Sequence, residues 1–168
     1  MSSFDDAFAL LIGSEGKLSM VHSDPGNWTG GKVGAGTLKG SKYGISAAQH
    51  PDLDIANLTL DDARGIAKAH YWDTLHLDEF DSRVAFQIFD ANYNGGHCVL
   101  WMQQSSGSPA DCKLGPVTIA AVKATSPLNF IMNFIAYRIE YLVDCKNWPS
   151  ASRGWSRRMA KNLRTGAK

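Results

Sequence analysis

Seven glycines fall between residues 26 and 44, at positions 26, 30, 31, 34, 36, 40 and 44. Glycine costs about 1 kcal/mol relative to alanine inside a helix, so this density excludes a helix there. Short runs such as Lys32-Val33 and Tyr43-Gly44-Ile45 lie between the glycines. Residues 18–46 therefore read as a small, twisted β-hairpin region with loops. Before it, Phe4, Phe8, Leu11 and Glu15 recur at steps of four, three and four, which puts them on one helix face. Ser3 and Asp6 have capping-box spacing at the start of this helix, and Gly16 stops it.

From residue 59 the pattern is helical to the end. Thr59 and Asp62 form a second capping box, opening a helix through about Trp72. Further helices are expected over about 82–92, 97–104, 116–124, 127–144 and 152–163. Their breaks fall at Asn94-Gly95-Gly96, Ser105-Ser106-Gly107 and Pro127. The fold class is mainly α (α+β), a helical bundle with a small Gly-rich β-hairpin region near residues 18–46. A soft boundary near residue 96 separates region 1–96 from region 97–168. With no linker visible, and a long apolar helix that needs covering, the two are expected to pack into one globule.

At 168 residues, 44% hydrophobic and 20% charged, the chain has the size and composition of one globular domain. No apolar stretch reaches the roughly 18 residues of a membrane span. The acidic start, Met1-Ser2-Ser3-Phe4-Asp5-Asp6, lacks the features of a secretory signal, so a cytoplasmic origin is expected. Three cysteines, Cys98, Cys112 and Cys145, form no paired spacing and read as reduced and structural. The five histidines are scattered, so neither a metal site nor a cofactor is expected. Residues 1–145 hold 10 Lys+Arg against 16 Asp+Glu, a net of −6, whereas residues 146–168 hold seven basic residues and no acid, a net of +7. Such a tail attracts polyanions. Nucleic acid is disfavoured as the partner, because the body is acidic and no nucleic-acid motif is present.

The chemistry centres on two carboxyls. Glu15 ends an apolar stripe, where poor hydration disfavours its charged form. A glutamate at a helix C-terminus also sits at the unfavourable end of the dipole, which argues for a functional role. Asp24 falls in the polar turn Asp24-Pro25-Gly26. Two carboxyls in unlike surroundings suit glycoside hydrolysis. Asp90 lies inside an apolar helix and must be paired there; it reads as structural before catalytic.

Several motifs carry a family resemblance. Ser14-Glu15-Gly16, Asp24-Pro25-Gly26-Asn27 and Ser41-Lys42-Tyr43-Gly44-Ile45-Ser46 resemble the glycoside hydrolase family 108 muramidases, as do Phe89-Asp90 and Asn94-Gly95. The segment Asp111-Cys112-Lys113-Leu114-Gly115-Pro116-Val117-Thr118, and Gly154-Trp155 with Arg158, resemble the helical peptidoglycan-binding region that usually follows. Lys17 replaces a glycine of the pattern, Trp28 sits in an expanded middle, and Cys112 replaces a turn glycine.

The resemblance implies a lysozyme-like fold and a peptidoglycan hydrolase of the phage endolysin type. It would cleave the β-1,4 bond between N-acetylmuramic acid and N-acetylglucosamine. Glu15 would be the general acid and Asp24 the ionised partner, with Ser41 orienting water. Tyr43, Ile45, Tyr93 and Asn94 would line the sugar subsites. Partners would be peptidoglycan glycan strands, with the basic C-terminal segment touching anionic wall or outer membrane, and the protein would act as a monomer. It would reach the periplasmic wall from the host cytoplasm after membrane permeabilisation. A lytic transglycosylase, or a non-catalytic wall-binding module, stays open at this point, as does retaining versus inverting stereochemistry.

Overall fold

A computed structural model describes residues 4–13 and 17–168. Ser3 of the first capping box, and Ser14, Glu15 and Gly16, lie outside the described residues. The chain divides into two compact units, Phe8–His70 on the one hand, and the chain up to Ala7 with Tyr71–Lys168 on the other. The division therefore falls at residue 70, whereas the motifs change character near residue 96.

In the smaller unit, helix α1 (Phe4–Ile12) supplies its last residues. Strands β1 (Ser41–Lys42) and β2 (Ile45–Ser46) pair antiparallel, with Ser41 opposite Ser46. The hairpin is shorter than the glycine pattern suggests, because most of residues 18–40 form turns held by isolated bridges, Ser19 to Ser41 and Trp28 to Leu38. Tyr43 and Gly44 make its two-residue turn, both with positive φ (53° and 80°). That conformation matches the twist of the flanking strands. Ile45, Ala47, Ile55 and Leu58 are buried beside Ala63 and Ala67.

Those two alanines belong to α2 (Leu60–Ala67), which opens on the expected capping box. Asp62 N–H donates to Thr59 Oγ1 (3.1 Å), and Thr59 N–H donates to Asp62 Oδ2 (3.0 Å). The Thr59 hydroxyl, which donates to Asp62 Oδ2 (2.6 Å), and then the Thr59 N–H hold the Asp62 carboxyl below its ordinary range. The regular helix stops at Ala67, not Trp72. A wider π turn spans Lys68–Trp72, followed by single 3-10 turns over Asp73–Leu75 and Leu77–Glu79. Burial of Tyr71 and Trp72 accompanies this change of pitch: the Trp72 ring packs edge-on against Phe4 and Phe89 at 5.4 Å from each.

The larger unit is a bundle of α3 (Ser82–Asn94), α4 (Cys98–Ser106), α5 (Pro116–Ala124), α6 (Pro127–Asp144) and α7 (Trp148–Gly166). Helix α6 packs against α3, α4 and α7. Its buried face is Phe130, Ile131, Phe134, Ile135 and Arg138, while Val143 near its end is exposed. Each apolar side chain so buried contributes roughly 1.5–3 kcal/mol. Helix α7 is longer than expected at both ends, since Pro149 suits a first turn. Near its C-terminus it approaches α6 closely: a Cβ at Gly166 would stand 2.7 Å from Ile131 Cγ2. Gly95 (φ +85°) ends α3 as the Asn-Gly-Gly sequence suggests.

The loop between α4 and α5 is organised by one buried side chain. Gln103 Nε2 donates to Asp111 Oδ1 (2.7 Å), Lys113 O (3.1 Å) and Thr118 Oγ1 (3.2 Å), and Gln103 Oε1 accepts from Cys112 N–H (2.9 Å). Cys112 has φ +61°, the left-handed region that favours glycine. The turn of the Asp-Gly-x-x-Gly-Pro pattern is thus kept even though its glycine is gone.

Candidate active site

Asp24 is exposed and caps the 3-10 turn Pro25–Asn27. Its Oδ1 accepts from Gly26 N–H at 2.9 Å, leaving Oδ2 without a partner among the described residues. Pro25 pre-sets the turn. Three contacts hold the loop around it. Asp24 N–H donates to Val21 O (3.1 Å), Trp28 Nε1 donates to His22 O (2.9 Å), and the His22 and Trp28 rings meet edge-on at 4.8 Å.

Asn27 ties this loop to the hairpin. It is fully buried; its Nδ2 donates to Val21 O (3.0 Å), and its carbonyl accepts from both Lys39 and Gly40 N–H (3.0 Å each). Ala48 N–H donates to Gly26 O at 3.0 Å. A Cβ at Gly26 would stand 3.2 Å from Asp24 Oδ1, so the glycine lets the Asp24 carboxylate close onto its own turn, while Ser46 of β2 would lie at ordinary contact distance (3.9 Å). Sequence reasoning did not single out Asn27. Its signal was its place directly after Asp-Pro-Gly, where a short polar side chain can tie a turn together.

Ser41 is half-buried on β1 and exchanges backbone hydrogen bonds with Ser19 (2.8 and 3.0 Å). Asp24 and Ser41 thus share one small unit whose loop and hairpin are cross-linked by main-chain bonds. Tyr43 is half-buried at the hairpin tip, with the Lys42 ammonium 5.5 Å from its ring centre. A tyrosine at positive φ is uncommon and is held in place by its surroundings. Ile45 has no exposed surface, so its side chain belongs to the core of the unit.

Tyr93 and Asn94 lie in the larger unit. Tyr93 is buried between Tyr71 (4.8 Å) and Phe89 (5.8 Å); burial first, then Tyr71, pushes its phenol well above the ordinary range. Asn94 donates from Nδ2 to Asp90 O (2.7 Å), the C-cap-like bond its position suggests.

Asp90 is 5% exposed and ion-paired to Arg138, itself 4% exposed, with Arg158 at 3.4 Å and Asn162 Nδ2 donating at 2.8 Å. Its partners thus lie on α6 and α7, far along the chain. A carboxylate so enclosed joins helices and does not offer itself to a substrate. Arg138 was not singled out from sequence. Its signal was present, since Phe130, Phe134 and Arg138 recur at steps of four on a buried stripe. A cation on such a stripe demands a buried acid opposite.

No group of three His, Cys, Asp or Glu side chains among the described residues could hold a metal ion. His50 and His70 meet edge-on at 5.7 Å; burial first, then His70, holds His50 below its ordinary value. No single helix among the described residues is long and apolar enough to cross a membrane.

A mainly helical, lysozyme-like scaffold with a small hairpin, and an exposed, anchored aspartate in the loop that precedes it, define the class. The family model for glycosyl hydrolase 108 matches residues 8–96, more than half of the chain. The chain belongs to glycosyl hydrolase family 108 and, at the level of that family, is a glycoside hydrolase directed at peptidoglycan. The solved structure of Brucella abortus SagA is similar over 98% of this chain and 93% of that chain, with a TM-score of 0.80 and 21% sequence identity, which shows a shared fold. No curated protein sequence matches this chain significantly.

Proposed function

We propose that this protein is a muramidase, hydrolysing the β-1,4 bond between N-acetylmuramic acid and N-acetylglucosamine of peptidoglycan. The observation that carries the reading is the family match over residues 8–96, a span that holds Glu15, Asp24 and Ser41 in order. Glu15 protonates the leaving glycosidic oxygen. Asp24, anchored through one oxygen by Gly26 N–H, uses the other to activate water or to stabilise the oxocarbenium-like transition state. Ser41 orients that water. Tyr43 offers its ring to a sugar face and Asn94 its amide to an N-acetyl group. Ile45 supports the hairpin from within the smaller unit, and Tyr93 is buried within the larger one.

The test is clearing of purified peptidoglycan with mass spectrometry of the products. New reducing muramic ends are expected. Anhydro-muramic products would replace the reading with a lytic transglycosylase, and wall binding without clearing would make the protein a binding module.

The basic end of the chain gives a second prediction. Arg153, Arg157, Lys161 and Arg164 of α7 are all exposed and recur at steps of four, four and three, on one helix face. In our reading this face holds the enzyme to anionic wall or outer membrane by summed charge. Changing all four to Gln is expected to weaken binding to sacculi and to remove most of its salt dependence. Unchanged binding, together with unchanged lysis of cells that keep an outer membrane, would refute it. The same reading has the protein held as a monomer in a host cytoplasm until the membrane is permeabilised. Cell fractionation before and after permeabilisation, with gel filtration, tests this.

A further inference from the structure

The ion-paired cluster in the larger unit is unbalanced. Asp90 carries one formal negative charge, and two guanidiniums approach it. Arg138 takes the close, buried position. Asn162 donates to the same carboxylate oxygen as Arg138. Arg158 reaches the other oxygen only at 3.4 Å through Nη1, and its side chain is 35% exposed. Asp90 is therefore satisfied without Arg158, and among the described residues most of the Arg158 fork is unused. A guanidinium presents five N–H donors in a plane matched to a carboxylate.

Arg158 does not face open solvent. It lines a cavity of about 280 Å³ together with Asn94, Tyr141, Asn147 and Trp155. The cavity lies wholly within the larger unit. Tyr141 and Trp155 give it two aromatic walls. Asn147 supplies an amide that can donate and accept, while the Asn94 Nδ2 is already given to Asp90 O. Gly95, on its rim, has no heavy atom within 4 Å of where a Cβ would stand, so the mouth is open there. A single excess positive charge, amide groups and aromatic walls form a chemically specific set.

We propose that this cavity binds a carboxylate of the peptide stem of peptidoglycan, with Arg158 as its partner. The choice of stem peptide rests on the reading of peptidoglycan as substrate; the carboxylate follows from the cavity itself. A peptide carries the free carboxylate for Arg158 and amide bonds for Asn147, whereas the glycan, its lactyl carboxyl capped as an amide by the stem, carries no such anion. The cavity would thus favour stems that carry free carboxylates.

The test is calorimetric titration of the full chain with a synthetic muramyl peptide bearing free carboxylates, the same peptide fully amidated, and inorganic phosphate. Wild type is expected to bind the free acid about 10- to 100-fold more tightly than the amide, the size of a charge-assisted hydrogen-bonded pair. Phosphate is expected to bind more weakly than the acid. Arg158→Gln should lose that preference, and Arg158→Lys should keep part of it, the charge without the fork. Equal binding of acid and amide by wild type overturns the proposal, whether or not Arg158→Gln folds. Absence of binding, or phosphate binding as tightly as the peptide, also overturns it. Glycan cleavage is scored separately. Selective peptide binding without cleavage would leave the cavity standing and sink the hydrolase reading. Cleavage without peptide selectivity would do the reverse.

Discussion

Glu15→Gln is expected to abolish clearing of peptidoglycan while leaving the fold intact. A positioned general acid contributes about 10²- to 10⁴-fold; losses at the upper end of that range take the variant to the floor of a turbidity assay. The amide keeps the size of the carboxyl and cannot deliver its proton. Asp24→Asn should lose less, because its exposed carboxylate acts through charge or through water and not by protonating the leaving group. Rates for both variants, with far-UV circular dichroism to check folding, decide it. A Glu15→Gln protein retaining more than about a tenth of wild-type activity would remove Glu15 from the role of acid.

Asp90→Ala is expected to be the most destabilising single change in the larger unit. It leaves Arg138, 4% exposed, as an unpaired buried cation. Removing one partner of such a pair costs about 3–5 kcal/mol. For a chain of this size each kcal/mol moves the midpoint by about 2–4 °C, so Tm should fall by about 6–20 °C. Arg138→Met added to Asp90→Ala should recover part of the loss, since the orphaned charge goes with it. A Tm shift under about 2 °C for Asp90→Ala would show that the cluster does not hold α3 to α6 and α7. The Glu15 and Asp90 variants separate cleanly. The first removes activity and spares stability; the second removes stability and touches no bond-breaking group.

Much of the architecture was legible because it is local. Pro116–Ala124 and Pro127–Asp144 begin at prolines suited to a helix first turn and match the expected bounds. The Thr59–Asp62 capping box is visible in four consecutive residues and forms as read. The Tyr43-Gly44 turn follows from a glycine between two short β-prone runs. Local patterns of this kind depend on neighbours along the chain, so a sequence alone can carry them.

Other features required contacts between distant residues. The helix expected through Trp72 gives way to a π turn at Lys68, where Tyr71 and Trp72 become buried. Nothing in residues 59–72 announces that demand. Ile45 and Tyr93 read as subsite residues by motif, and tertiary packing made both core side chains. The asymmetry at Asp90 came only from α6 and α7 meeting α3, since Arg138 and Arg158 lie 48 and 68 positions away. By itself the sequence determined the helical class, the hairpin and the carboxyl pattern of the family, because these rest on periodicity, turn chemistry and spacing. Tertiary structure alone decided which charges are enclosed and which stay open, because the cost of an unpaired charge depends on what the rest of the chain packs around it.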